Sequence, residues 1–127
     1  MKMIQTENAP QAVGPYSQAV DVNGTLYVSG QIPFVPETMT LVSEDIAQQT
    51  AQVLKNIKGI VEAAGYQVTD IAKCTVFLKD ISDFPKMNAA YADFFVDHKP
   101  ARAAAESPHL PKDVLVEIDA ICVKSAQ

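Results

Sequence analysis

Cysteine and histidine are scarce in this chain, and neither is clustered. Cys74 and Cys122 each lie in a strand-like apolar run with no partner at metal-ligand spacing, and His98 and His109 stand apart. No metal centre is expected, and both thiols read as buried and reduced. Glycine-rich phosphate loops are missing too, since GPYSQ and GQIP carry one glycine each at no useful spacing. No nucleophile-elbow motif announces a Ser-His-Asp set. Any reaction expected here is free of metal and cofactor.

Other absences narrow the setting. No apolar run approaches the roughly 18–20 residues of a membrane span. The N-terminal MKMIQTENAP lacks the continuous apolar stretch of a signal peptide. Together with reduced thiols, this predicts a soluble cytoplasmic protein with no membrane partner. Basic charge is also short: the net charge is -5, which leans against a nucleic-acid partner, because such proteins meet phosphates with a basic stripe.

What remains is an ordinary globular composition, 48% hydrophobic and 20% charged over 127 residues. That suffices for one domain, 1–127, with a core that needs no disulfide or metal. From Ser43 onward, Ile46, Thr50, Val53, Leu54, Ile57, Ile60, Val61 and Ala64 recur at spacings of three and four, one stripe of a helix. Ser43 is the expected N-cap, Glu44 and Asp45 suit the positive helix end, and Gly65 is placed to end the helix in a left-handed turn. A second helix starts near Ser82 or Asp83, tolerates Pro85 in its first turn and stops at Pro100. Its Phe84, Met87, Tyr91, Phe94 and Phe95 read as core, with Asn88 the polar position to note.

Strands are expected at Thr25–Gly30, Ile71–Lys79, Ala101–Glu106 and Val114–Lys124, with weaker ones near Met3–Thr6 and Gln18–Val22. Asn23-Gly24 reads as a hairpin turn, Pro33 and Pro36 mark an ordered loop, and Ala101–Glu106 reads as joined to the last strand by a turn. In IAKCTVFLK, alternation puts Ala72, Cys74, Val76 and Leu78 on one face. Two helices on one face of a mixed sheet, a two-layer α+β fold, is the economical arrangement.

Two strands carry charge where a core pattern is expected. Arg102 is flanked by Ala101, Ala103, Ala104 and Ala105, so its planar fork, matched to a carboxylate, has open space around it. The common role of such an arginine is a salt bridge, here to Glu106, Glu117 or Asp119. Glu117 and Asp119 share a face with Leu115, Ile121 and Val123, opposite the apolar Val114, Val116, Ile118, Ala120 and Cys122. That mixed face suits a strand covered by another subunit or lining a wet pocket. A carboxylate held near an arginine stays ionised and can accept a proton from water. Solvent exposure is the commoner explanation for an acidic strand residue.

In their order, APQAVGPYSQAV, LYVSGQIP, NIKGIVEAAG, KCTVFLKDISDFPKMNAAYADFF and PAR…LPKDVLVEIDAI cover nearly the whole chain. The sequence thereby resembles the reactive intermediate deaminase (Rid, or YjgF-type) family. The resemblance implies a chorismate-mutase-like fold, a homotrimer with clefts between subunits, and hydrolysis of reactive enamines and imines to 2-keto acids and ammonia. It implies that Arg102 grips the substrate carboxylate and Glu117 activates water, with Tyr16, Ser29, Gly30 and Asn88 lining the cleft. Ala104 stands where many members carry a cysteine, which puts any thiol-dependent, chaperone-like state in doubt. Ala105 and Pro108 also depart from the pattern and imply a roomier pocket. A non-catalytic ligand-binding trimer and a ribonuclease or translation inhibitor are the competing readings.

Overall fold

Asn23 and Gly24 adopt φ values of 50° and 87°, the left-handed pair favoured in two-residue hairpin loops. They join β2 (Ala19–Val22) to β3 (Thr25–Gln31), and β1 (Lys2–Ile4) pairs along the outer side of β2. The structure, a computed structural model, describes residues 1–124. After β3 the expected loop contains a small hairpin of its own, β4 (Phe34–Val35) with β5 (Thr40–Leu41). Two-residue strands are too short to leave an alternation signal.

Helix α1 (Ile46–Ala63) is capped by Asp45, whose Oδ2 accepts from the Gln48 amide at 2.9 Å. Ser43 is not the cap: its Oγ accepts from the Asp45 amide at 3.1 Å and shapes the approach to the helix instead. Gly65, at φ 84°, ends α1 as expected. The Gly65 amide donates to the Glu62 carbonyl and the Tyr66 amide to the Val61 carbonyl, both at 3.0 Å, the bond pair of a Schellman motif. Helix α2 (Phe84–Phe95) follows a 3-10 turn at Ile81–Asp83 and carries Pro85 in its first turn. It ends before Pro100, because Val96 turns to φ 57° and breaks the helical path.

The remaining strands are β6 (Ile71–Leu78), β7 (Ala101–Glu106) and β8 (Val116–Val123). The six-stranded sheet runs β1-β2-β3-β8-β6-β7 and is mixed, with β6 and β7 parallel and the other pairs antiparallel. The expected hairpin between β7 and β8 is therefore absent. Strand β6 lies between them, since α2 carries the chain from β6 across to a parallel β7, as such crossovers do. A register shift between Ile71 and Lys73 corrects the alternation in β6. Ile71, Cys74, Val76 and Leu78 are buried while Ala72 is exposed.

Both helices cover one sheet face. Val53, Leu54, Ile57 and Ile60 of α1 and Met87, Tyr91 and Phe95 of α2 belong to one core with Val116, Ile118, Ala120 and Cys122 of β8. The apolar face of β8 is buried as expected, and so are both thiols. Two polar side chains that the stripe concealed are also buried on α1. Gln49 bridges the Ser43 carbonyl and the Leu115 amide, both at 2.9 Å, and Asn56 donates to the carbonyls of Ile32 and Phe34. They tie α1 to the segments leading out of β3 and into β8. Among the described residues the opposite sheet face has no covering layer, and it presents Tyr27, Glu117, Asp119 and Ile121.

Candidate active site

Strand β7 is the sheet edge and all six of its residues are exposed. Arg102, level with Cys74 of β6, turns toward α2. Its Nη1 donates to Asn88 Oδ1 at 2.8 Å, and its Cζ lies 5.3 Å from the Phe84 ring centroid and 4.8 Å from that of Tyr91. None of the three expected carboxylates pairs with it. Glu106 accepts from the Ile81 amide at 2.9 Å, Asp119 accepts from the Thr75 amide at 3.2 Å, and Glu117 lies across the sheet. Ala103, Ala104 and Ala105, level with Thr75, Val76 and Phe77, leave only methyl groups along the edge between Arg102 and Glu106.

Glu117 projects from β8 on the face away from the helices, opposite the buried Val116 and Ile118, and is level with Phe77. Its carboxylate stands against Gly30 of β3, where a Cβ would collide with Oε2. A side chain at position 30 would push the Glu117 carboxylate out of this position, so glycine serves close approach here rather than backbone angle. Burial, and then the negative charge of Asp119, push the Glu117 carboxyl above its ordinary pKa. This corrects the expectation of an arginine-stabilised carboxylate. A carboxylate with raised proton affinity is a better proton acceptor near neutrality.

Gly30 and Tyr16 line a cavity of about 300 Å³ together with Gln18, Gln31 and Lys112. Ser29 holds the neighbouring chain in place: its Oγ donates to the Ser17 carbonyl at 2.6 Å and its amide to the Gln18 carbonyl at 2.9 Å. The buried Gln18 then fixes the N-terminal segment through bonds to Thr6 and the Pro10 carbonyl. Gln18 lies in the quoted GPYSQ motif, yet only its burial reveals this part.

One chain thus assembles two separate groups. Arg102, Asn88 and Ala104 lie at the β7 edge beside α2, whereas Glu117, Gly30, Tyr16 and Ser29 lie around β3 and β8. Arg102 and Glu117 face opposite sides of the sheet with β6 between their strands. Among the described residues, no three His, Cys, Asp or Glu side chains are grouped as metal ligands, and no helix is long and apolar enough to cross a membrane.

A two-layer α+β architecture, a mixed sheet with two helices on one face, is the fold the resemblance implied. The model of the endoribonuclease L-PSP family matches residues 6–124, and the chain belongs to this family, the YjgF/Rid family. The 2-iminobutanoate/2-iminopropanoate deaminase of Escherichia coli K12 is 52% identical over 126 residues, covering 97% of this chain and 98% of its own. A RutC family protein of Pyrococcus horikoshii is 55% identical over 123 residues, covering 97% and 98%. Among solved structures, the E. coli YjgF gene product superposes with a TM-score of 0.95 at 51% identity, over 98% of this chain and 100% of that one. E. coli TdcF with bound serine gives 0.94 at 44% identity over the same shares. The fold is accordingly the chorismate-mutase-like α+β fold.

Proposed function

We propose that this protein hydrolyses reactive enamines and imines, such as 2-aminoacrylate, 2-aminocrotonate and their 2-imino acid tautomers, to 2-keto acids and ammonia. We further propose that it works as a homotrimer whose sites each combine the Arg102 group of one subunit with the Glu117 group of the next. The observation that carries this reading is the split itself. An arginine with free donors and a carboxylate of raised proton affinity lie on opposite faces of one sheet, so neither can serve the other's substrate within a chain. Relatives at 52% identity that bear the deaminase name support it.

In this mechanism the Arg102 fork binds the substrate's α-carboxylate. Glu117 orients a water and takes one of its protons as the oxygen adds to the C=N carbon. The imine nitrogen receives a proton, the tetrahedral carbon expels ammonia, and a C=O bond replaces C=N. One water is consumed and no electrons are exchanged. The imine is already electrophilic, so positioning supplies the catalysis, worth up to about 7–11 kcal/mol in well-oriented systems. The endoribonuclease in the family's description would call for a basic groove, and a net charge of -5 gives that reading less support.

The test couples the purified protein to a serine or threonine dehydratase and traps the released imine with semicarbazide. Wild type is expected to compete with the trap, and Arg102→Ala is expected to lose that competition. Equal competition by Arg102→Ala would sink the mechanism.

A further inference from the structure

We infer that Phe84 and Tyr91 are positioning residues for Arg102, two rings that hold its guanidinium ready for a planar carboxylate. The inference rests on the proposed deaminase site and assigns a task to helix residues that read as plain core. Arginine on an exposed strand of alanines has long, freely rotating side-chain bonds, and binding a ligand from that state means ordering them first. Here the ordering is already done. Residues 84, 88 and 91 fall on one stripe of α2, at the three- and four-residue spacings that bring helix side chains together. Both rings lie within the roughly 6 Å over which a guanidinium is attracted to an aromatic face. Asn88 Oδ1, at 2.8 Å from Nη1, fixes the rotation that the rings leave free.

The chemistry of the three holders matters as much as their positions. None is an anion, and among the described residues the sole ion pair joins Lys79 to Asp113. Arg102 is therefore held without being neutralised, and its remaining N–H donors keep their charge for a substrate carboxylate. An aspartate in place of Asn88 would hold the arginine as firmly and quench it. Tyr91 contributes its ring rather than its hydroxyl: that hydroxyl is buried beside the Cys74 thiol and is not among the Arg102 contacts.

The test compares Phe84→Leu, Tyr91→Leu and Tyr91→Phe with Phe94→Leu. Phe94 packs edge-on against Phe95 at 4.9 Å on the same helix and is not among the Arg102 contacts, so its loss reports packing alone. In the trap assay, both leucine variants at 84 and 91 are expected to raise KM at least about fivefold with kcat within about twofold, the signature of lost carboxylate binding. The Kd for pyruvate, measured by NMR titration, should rise by the same factor. The Arg102 Nε–Hε resonance should lose its ring-current shift. Tyr91→Phe should restore all three readouts, and Phe94→Leu should leave KM and Kd in place. Unchanged KM and Kd in Phe84→Leu, an equal loss in Phe94→Leu, or no restoration by Tyr91→Phe would each overturn the inference. If wild type hydrolyses no imine, the deaminase reading fails, and the pyruvate Kd and the Arg102 resonance still decide this one.

Discussion

Glu117 is half-buried against Gly30, with Asp119 two residues along the same face, and both surroundings favour its protonated form. The native state then binds that proton more tightly than the unfolded chain does. The stability this lends is fully present below the ordinary glutamate pKa and is lost as pH rises through the raised one. Glu117→Gln should therefore raise Tm at about pH 7.5 while abolishing most turnover, and the gain should vanish in acid, where both side chains are neutral. Thermal melts across pH check this; a gain that persists in acid would refute the electrostatic origin. The same shift sets the acid limb of kcat/KM, where activity falls as pH drops through the Glu117 pKa. Asp119→Asn removes the neighbouring charge and should move that limb to lower pH, while its Oδ1 still accepts from the Thr75 amide. At this scale the sequence was partly legible. Arg102 stood out as a charge among alanines, and alternation assigned Glu117 its face. Gly30 carried no reason of its own, because its reason is a carboxylate on a strand 87 residues away.

Elements were legible wherever a local pattern determines them, and illegible where distant strands do. The α1 stripe, its Gly65 stop and the Asn23-Gly24 turn are each written in a few adjacent residues. The hairpin reading of β7 and β8 failed because nearness in sequence says nothing about which strand intervenes. A strand-helix-strand run from β6 to β7 does favour parallel pairing, and that clue outweighs the short link to β8. Gln49 shows the same limit, since its glutamine interrupts no stripe yet carries two buried bonds. Gln49→Leu fits the helix pattern and by hydrophobicity alone would stabilise. Instead it strips partners from the Ser43 carbonyl and the Leu115 amide, each costing about 1–3 kcal/mol when left unsatisfied. Urea denaturation should show a net loss of about 2 kcal/mol with an unchanged m value. A stabilised variant would mean that water replaces those bonds at no cost.

For the whole molecule, the bare sheet face and the exposed β7 edge are two surfaces that the described residues of one chain leave without covering. Tyr27 on the neighbouring β3 is 52% exposed and Val123 on Glu117's own strand 46%, while the alanine edge offers unpaired backbone that an isolated protein normally protects. A ring of three copies would cover such surfaces with a head-to-tail contact, and it would bring the Arg102 group of each copy to the Glu117 group of its neighbour. This arrangement makes a prediction that no single-chain site shares. Arg102→Ala and Glu117→Gln, each inactive alone, should recover activity when unfolded together at equal amounts and refolded. Random assembly makes about three quarters of the trimers mixed, and each mixed ring holds one intact site in three, so recovery should approach about one quarter of wild type. Refolding each variant separately and then combining them supplies the control, because preformed rings keep every site damaged until subunits exchange. Recovery near zero in the co-refolded sample, with trimers present by size and scattering, would place both residues in the service of one chain's own site and remove the basis of the shared cleft.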